Sequence, residues 1–306
     1  MSFETGGRRG CPSVSLTCVP TPSPATLPIR RLTLRDLRAC ADLAEGRGWP
    51  REEHKWGLLL TAGRGYGIDD PGGGLVGSCV VTEYGPQEEP SLVAVGMVLV
   101  AERHARQGVG RRLVRHVVSM SGTTPLTLFA TPNGRPLYEE LGFKATGRAE
   151  MMRGVFSPDG HEPRTATRAA TAEDLPALLR LDEEVFGMDR THIVTRLPAF
   201  ADQLRVAVED GRLIGYAAAW PTAETQVVGP LIARDTDTAK ALIASLAAHT
   251  DRPLRTDIDV RHEKLLAWVE ARGLAPVAFN TVMTYGIADL PGDWTRRFAP
   301  LTVAAG

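Results

Sequence analysis

Apolar positions along the chain form two kinds of pattern, continuous runs and stripes with helical spacing. Residues 91–100 (SLVAVGMVLV) are almost wholly apolar, which predicts a strand covered on both faces. Residues 106–120 carry apolar groups on one side and arginines on the other, which predicts an amphipathic helix. The same reasoning predicts a strand, a helix and a closing strand at 125–131, 134–142 and 144–154. Alternating elements of this kind predict an α/β fold.

The chain before this region divides into an extension and two predicted helices. Residues 1–28 are rich in Pro, Ser, Thr and Gly, which predicts a disordered or loosely docked extension. A short strand at Ile29 and a helix starting near Thr33 follow. Pro50 suits the first turn of a second helix. A turn and a strand are predicted within 72–85 (GGGLVGSCVVTEYG).

The order of elements is repeated after a polar linker at 154–164. Three blocks of the second half echo the first half in order, and corresponding positions are offset by 168 − 31 = 137 near the start and 274 − 143 = 131 near the end. A nearly constant offset indicates duplication of one unit. The predicted domains are therefore 29–153 and 165–290, followed by a C-terminal tail at 291–306.

A strand, a glycine-containing loop and a helix form the most informative stretch. Gly108 and Gly110 stand where the helix begins, and glycine lets the backbone approach a ligand closely. The first N–H groups of a helix are unpaired and carry positive potential, so they suit a phosphate or pyrophosphate. A tight turn without any ligand is the alternative interpretation of two glycines alone.

The buried strand, this loop and the later block RPLYEELGF together resemble the GNAT acetyltransferase superfamily. Its acyl-CoA loop is written [RQ]xxGx[GA], and residues 105–110 read ARQGVG, so both glycines match and Ala105 replaces the long leading side chain. The resemblance implies two tandem GNAT folds, each a mixed, mostly antiparallel splayed sheet flanked by helices. It implies acetyl-CoA or another acyl-CoA as co-substrate and no metal. The implied cofactor-binding residues are Val98, Leu99, Val100, Arg106, Gln107, Gly108, Val109, Gly110, Arg111 and Asn133.

The resemblance also implies a general acid. Tyr138 falls at the family's usual position for a phenol that protonates the departing thiolate. A core tyrosine on a helix face is the alternative. Asn133 either contacts the cofactor or caps the helix that begins near Gly134.

The general base and the acceptor site are less sharply indicated. Glu83, at the end of the strand before 91–100, is the best-placed carboxylate in chain order, and Glu52, Glu53 and His54 are weaker candidates. The alternative for each of these residues is a solvated group at the protein surface. A chain of waters in place of a single base is a further alternative. Trp49 and Trp56 either line the acceptor pocket or cover the sheet; these two and His54 are the candidate substrate residues.

The second half lacks the features that carry chemistry. ARDTDTAKAL has no GxG, and Asp235 and Asp237 bring negative charge where a pyrophosphate would lie. Trp268 stands in place of Tyr138. A degenerate C-terminal GNAT-like domain is therefore expected. Its segment EVFGMDR, with Phe186, Gly187, Asp189 and Arg190, either shapes an acceptor site between the domains or forms a helix-end packing motif with an Asp–Arg pair.

Composition narrows the choice of partners. The 35 basic and 36 acidic residues give a formal charge of −1, which argues against a nucleic-acid binder and against a polybasic membrane anchor. No apolar run reaches the ~18 residues of a membrane span. Cys11, Cys18, Cys40 and Cys79 lack metal-site spacing and are interpreted as thiols of a reducing cytoplasm.

These observations lead to one main hypothesis, an N-acyltransferase that acts on the primary amine of a small molecule. The alternatives are a non-catalytic acyl-CoA sensor, transfer to a protein amine, and a donor other than CoA. The chain is expected to be a monomer with pseudo-dimeric domains or a homodimer.

Overall fold

The computed structural model of the chain describes residues 26–158, 160 and 165–306. Residues 1–25 of the predicted extension, with Cys11 and Cys18, and residues 159 and 161–164 of the predicted linker lie outside the described residues. The first half contains strands β1 (Arg30–Leu32), β2 (Arg64–Asp69), β3 (Leu75–Tyr84), β4 (Leu92–Val100), β5 (Leu126–Ala130) and β6 (Lys144–Gly154). Its helices are α1 (Leu37–Glu45), α2 (Glu53–Ala62), α3 (Val109–Ser121) and α4 (Arg135–Glu140).

The second half repeats this order. Its strands are β7 (Thr167–Ala169), β8 (Gln203–Glu209), β9 (Arg212–Pro221), β10 (Gln226–Ala233), β11 (Leu254–Asp259), β12 (Ala275–Tyr285) and β13 (Arg297–Ala299). Its helices are α5 (Leu175–Phe186), α6 (Thr191–Val194), α7 (Leu197–Phe200), α8 (Thr236–Ala247) and α9 (Glu263–Glu270). The predicted duplication thus corresponds to two sets of elements in the same order.

All described strands belong to one mixed sheet, and the two halves exchange a strand within it. The order is β1-β2-β3-β4-β5-β12-β6-β11-β10-β9-β8-β7, with β13 beside β10. β12 pairs antiparallel with β5 of the first half, and β6 pairs antiparallel with β11 of the second. β6 and β12 pair with each other at the centre of the sheet. The domain limits at 153 and 165 stay predictions, because β6 pairs only with strands of the second half.

Helices cover both faces of the sheet. The core on one face joins residues of α1 and α2 to residues of α5, α6 and α7, so it spans both halves. The opposite face has separate cores, one under α3 and α4 and one under α8 and α9. The face that carries α1, α2 and α5–α7 is called the shared face below.

Two local predictions differ from the structure. The second helix begins at Glu53, and Pro50 lies in the connection before it. β2 has no counterpart among the sequence predictions, because RGYGID has two glycines and little strand pattern. Those glycines have a packing role: a Cβ at Gly65 or Gly67 would meet the Leu32 side chain at 2.9 and 2.8 Å.

The residues expected to form a C-terminal tail are part of the core. Arg297–Ala299 form β13, and Leu301, Ala304 and Ala305 are buried on the shared face. Tyr84 of β3 donates its hydroxyl hydrogen to the Ala305 carbonyl. Residues 300–306, called the C-terminal segment, run from the centre of β10 to the centre of β4. The reason is steric: Gly229 and Gly96 lack side chains, and the backbones of Pro300 and Ala304 fill those places.

Gly96→Ala is expected to destabilise the protein by about 2 kcal/mol or more, because its methyl group overlaps backbone atoms of Ala304. Urea unfolding with a constant m-value measures the change. Gly57→Ala is the matched control: it lies inside α2 with nothing within 4 Å of the added atom, and we expect it to stabilise by roughly 0.5–1 kcal/mol. Equal stability of the wild type and Gly96→Ala would contradict the described packing of the C-terminal segment.

Candidate active site

β4 and β5 separate partway along their length. Their parallel pairing covers Val93 to Val95 on β4 and ends at Val95 with Leu128. Immediately afterwards β4 has a bulge, where Met97 takes φ +50° and the register with β3 shifts. Residues 98–100 are three of the predicted cofactor contacts. Leu99 and Val100 stay paired to β3, and no strand of the described residues pairs with 98–100 on the β5 side. An unpaired backbone edge of this kind accepts an extended ligand as if it were another strand.

The glycine loop leads from this open edge into α3. Gly108 is the N-cap residue with φ +78°, a conformation that favours glycine, and Arg112 N–H donates to its carbonyl at 3.0 Å. Within the described residues, no protein acceptor receives the N–H groups of residues 106–111. Val109 is buried and anchors the helix, whereas Arg106, Gln107 and Gly108 are exposed. The loop thus presents unpaired donors at a helix N-terminus, which suits phosphate oxygens.

Two loop side chains have partners of their own. The Gln107 amide donates to the Arg103 carbonyl at 3.2 Å. Arg111 pairs with Glu140 of α4 at 2.5 Å, and the two side chains are 41% and 53% exposed. An exposed pair of this kind contributes little and leaves Arg111 available to an anion.

Tyr138 lies on the face opposite the shared face, in the core with α3. Its side chain is buried and meets Phe143 edge to face with ring centroids 5.8 Å apart. Burial, with a smaller effect of Cys79 on β3, raises the pKa of Tyr138. The phenol therefore keeps its proton at neutral pH. Within the described residues its hydroxyl has no hydrogen-bond partner.

Glu83 lies in the joined part of β3 and β4, and Asn133 lies at the surface before α4. Glu83 pairs with Arg64 at 2.9 Å, and its neighbour on β4 is Val93, in the part where β4 and β5 are still joined. Asn133 is exposed and does not cap α4: the N-cap residue is Gly134, whose N–H donates to the Thr131 hydroxyl at 3.2 Å. The capping alternative for Asn133 is wrong because Thr131 already provides the acceptor.

Among the candidates near α2, His54 contacts the second half of the chain. Glu52 and Lys55 form a buried ion pair, and burial lowers the pKa of Lys55. His54 Nε2 lies 2.6 Å from the Phe200 carbonyl, and its ring stacks on Phe200. Trp56 is fully buried, and its indole N–H has no partner in the described part of the chain. Trp49 is 37% exposed, and Glu53 pairs with Arg51 at the surface.

Arg190 of the EVFGMDR segment pairs with Asp182 and not with Asp189, its neighbour in the segment. Arg190 donates two hydrogen bonds of 2.7 Å to Asp182 of α5, and both residues are buried. Asp189 instead accepts from the Thr191 N–H. Phe186 lies under the guanidinium of Arg190, whose carbon is 4.1 Å from the ring centroid.

The second half has no counterpart of the glycine loop. Asp235 is the N-cap of α8, where its side chain accepts from Thr238 N–H at 2.8 Å. A carboxylate thus occupies the donors that α3 leaves free. Trp268, in place of the phenol, packs against Phe156 and under Arg272.

Sequence reasoning missed a buried polar group on the shared face. Asp257 and Asp259 of β11 and Arg297 of β13 are each at most 6% exposed. The alternation of aspartates in the strand TDIDV was a usable signal, because a carboxylate inside an apolar strand needs a partner or a function. Burial raises the pKa of Asp257.

The described residues contain no helix long and apolar enough to cross a membrane. In the same part of the chain, no group of three or more His, Cys, Asp or Glu side chains is placed to hold a metal ion. Cys40 and Cys79 are free, buried thiols.

Comparisons with known proteins identify the family of the chain. Two family profiles, both described as acetyltransferase (GNAT) domains, match residues 63–145 and 178–299. An uncharacterized N-acetyltransferase, YitH, from Bacillus subtilis is 30% identical over 233 residues, which are 75% of this chain and 79% of that protein.

Solved structures share the whole two-unit architecture. A putative acetyltransferase from Pyrococcus horikoshii superposes with a TM-score of 0.75 at 16% identity, over 92% of this chain and 96% of the other. A tandem GNAT protein from the clavulanic acid biosynthesis pathway gives a TM-score of 0.60 at 15% identity, over 86% and 99%. With the matches in both halves and the relative from Bacillus, they show that this chain is an acetyltransferase enzyme of the GNAT family.

Proposed function

We propose that this protein is an N-acyltransferase that transfers an acetyl group from acetyl-CoA to the primary amine of a small molecule, with Tyr138 as the general acid. The observation that carries the proposal is the continuity of the open β4 edge with the glycine loop. A pantetheine arm along residues 98–100 would lead the pyrophosphate to the free N–H groups of residues 106–111. Burial of Tyr138 keeps its proton available.

The reaction follows from this placement. The amine nitrogen attacks the thioester carbonyl carbon, a C–N bond forms, and the C–S bond breaks. The sulfur takes the phenolic proton of Tyr138, and the amine gives up one proton, so that the tyrosine can be reprotonated. Glu83 is paired with Arg64, so we propose that the amine loses its proton to water or to an ionised carboxylate of the shared face.

Gly108→Asp is expected to weaken acetyl-CoA binding on the order of 100-fold, because it brings negative charge to the pyrophosphate position. Isothermal titration with acetyl-CoA measures the change. Gly211→Asp is the control, since Gly211 has φ +74° and open space around it, like Gly108 with φ +78°.

Unchanged affinity of Gly108→Asp would reject the loop assignment. Binding of acetyl-CoA to the wild type without thiol release on any amine would favour the second candidate, an acyl-CoA sensor. Ala105 at the leading position of the loop is the observation that favours this candidate.

A further inference from the structure

A small cavity lies on the shared face between the two halves. It is lined by Phe129, Ala149, Asp259, Trp294, Arg297 and Pro300, among others. Phe129 follows Leu128, the last β5 residue that pairs with β4. The cavity therefore adjoins the place where the strands separate and where the proposed function puts the thioester. It is called the Arg297 cavity below.

Arg297 is a buried cation without an anion. Its residue is 6% exposed, and its guanidinium carbon lies 4.0 Å from the centroid of Phe186 and 4.3 Å from that of Trp294. Within the described residues its guanidinium forms no hydrogen bond and no ion pair. Burial and the nearby charge of Arg190 lower the pKa of Arg297 to about 9, so the group is charged at neutral pH.

The neighbouring charges are already balanced. Asp182 is engaged by both hydrogen bonds of Arg190 and by the Tyr216 hydroxyl. Asp259 has Arg261 at 3.6 Å from one carboxylate oxygen. Asp182 and Asp259 attract Arg297 through space, but no carboxylate in the described part of the chain pairs with its guanidinium. A buried charge of this kind is costly unless an anion pairs with it. Because Phe186 and Trp294 stack on the guanidinium, its edge is the part that can bind a planar, bidentate anion such as a carboxylate.

The second carboxylate oxygen of Asp259 supplies the complementary feature. Asp259 Oδ2 is buried and has no hydrogen-bond donor in the described part of the chain. Asp259 and Arg297 both line the Arg297 cavity. A cavity with an unpaired cation and an unpaired carboxylate oxygen matches an ammonium and a carboxylate on one molecule.

We infer that the acceptor is an amino acid, whose carboxylate binds Arg297 and whose amine is positioned by Asp259. This inference rests on the proposed function, because it names the acceptor of that reaction. The cavity measures ≈ 10 Å³, roughly the space of one water. Entry of the carboxylate therefore requires Pro300 and the C-terminal segment to move outward.

The first experiment compares acceptors on the wild-type full chain. Release of the CoA thiol from acetyl-CoA is measured with the twenty protein amino acids and with their carboxamides, which keep the amine and lose the negative charge. We expect at least one amino acid to exceed its carboxamide about 100-fold in kcat/KM. Carboxamides as good as the amino acids, or turnover only of amines without a carboxylate, would overturn the inference.

The second experiment changes the cation. Arg297→Met should raise KM for the best amino acid on the order of 100-fold, with KM for acetyl-CoA unchanged, and Arg297→Lys should recover part of the loss. Arg272→Met is the control, since Arg272 is also a buried arginine stacked on a tryptophan but lies away from the cavity. Equal effects of Arg297→Met on the amino acid and its carboxamide would indicate a merely structural role and overturn the inference.

A binding readout separates this inference from the proposed function. Thermal unfolding is followed with and without 10 mM of each amino acid, an amount on the order of a weak substrate's Kd. We expect the best amino acid to raise Tm for the wild type and not for Arg297→Met, and the Arg297→Met Tm alone not to fall. If acetyl-CoA binds but no amino acid raises Tm, this inference fails and the proposed function stands. If amino acids bind and acetyl-CoA does not, the proposed function fails.

Discussion

A chain that ends at residue 160 is expected not to give a folded monomer. This truncation removes β12, which lies between β5 and β6, and β11, the other neighbour of β6. β6 would keep no partner at all, and β5 would expose an unpaired edge. The shared core would lose α5–α7 and the C-terminal segment, which leaves residues such as Tyr84 and Leu92 uncovered. Exposed apolar area and unpaired edges together favour aggregation.

Because the two halves have the same order of elements, two copies of the truncated chain can fold together as a dimer. In the intact chain β12 of the second half lies beside β5, and β6 of the first half lies beside β11. In the same way, two truncated copies can pair so that β6 of each copy lies beside β5 of the other. Light scattering on the purified fragment should therefore find aggregate or dimer. Co-expression of 1–160 with 161–306 as two chains is the control, and it should restore a soluble one-to-one complex. A stable, monomeric 1–160 fragment would contradict the strand exchange.

The strand exchange also shows where sequence reasoning reached its limit. The pattern located β4, α3, β5, α4 and β6 within a few residues, because local periodicity determines each element. It also detected the duplication. Periodicity does not identify a strand's neighbour, and β6 and β12 have equivalent positions in their halves, so β5–β6 and β5–β12 pairing were equally compatible with the sequence.

One part of the candidate site was predicted from the sequence, and another part was not. The glycine loop was predicted because its chemistry resides in consecutive residues, and the structure places it at a helix start beside an open strand edge. The Arg297 cavity was missed because Phe129, Asp259 and Arg297 come from three separate strands. Arg297 also lies in the segment that the sequence suggested to be a tail. The pairing of β13 with β10 places the Arg297 side chain inside the protein.

Tyr138→Phe is expected to lower kcat by about 100-fold or more, the usual contribution of a positioned general acid, with KM for acetyl-CoA within about twofold of the wild type. The phenol is the group that gives the sulfur its proton, whereas the ring contributes packing against Phe143. Phenylalanine keeps the ring, and the lost hydroxyl has no hydrogen-bond partner in the described part of the chain, so the free energy of unfolding should change little.

The matched control for this variant is Tyr285→Phe. Tyr285 of β12 contacts the same Phe143, with ring centroids 5.3 Å apart, and is not placed in the reaction. Steady-state release of the CoA thiol with a saturating amine measures both variants. Because burial raises the pKa of Tyr138, the acid form persists at alkaline pH, and the wild-type kcat should not fall between pH 7 and about 10 through this group. A drop of kcat with an apparent pKa in that range, or equal kcat values for Tyr138→Phe and Tyr285→Phe, would reject the acid role. Acyl transfer would then proceed with the thiolate leaving unprotonated.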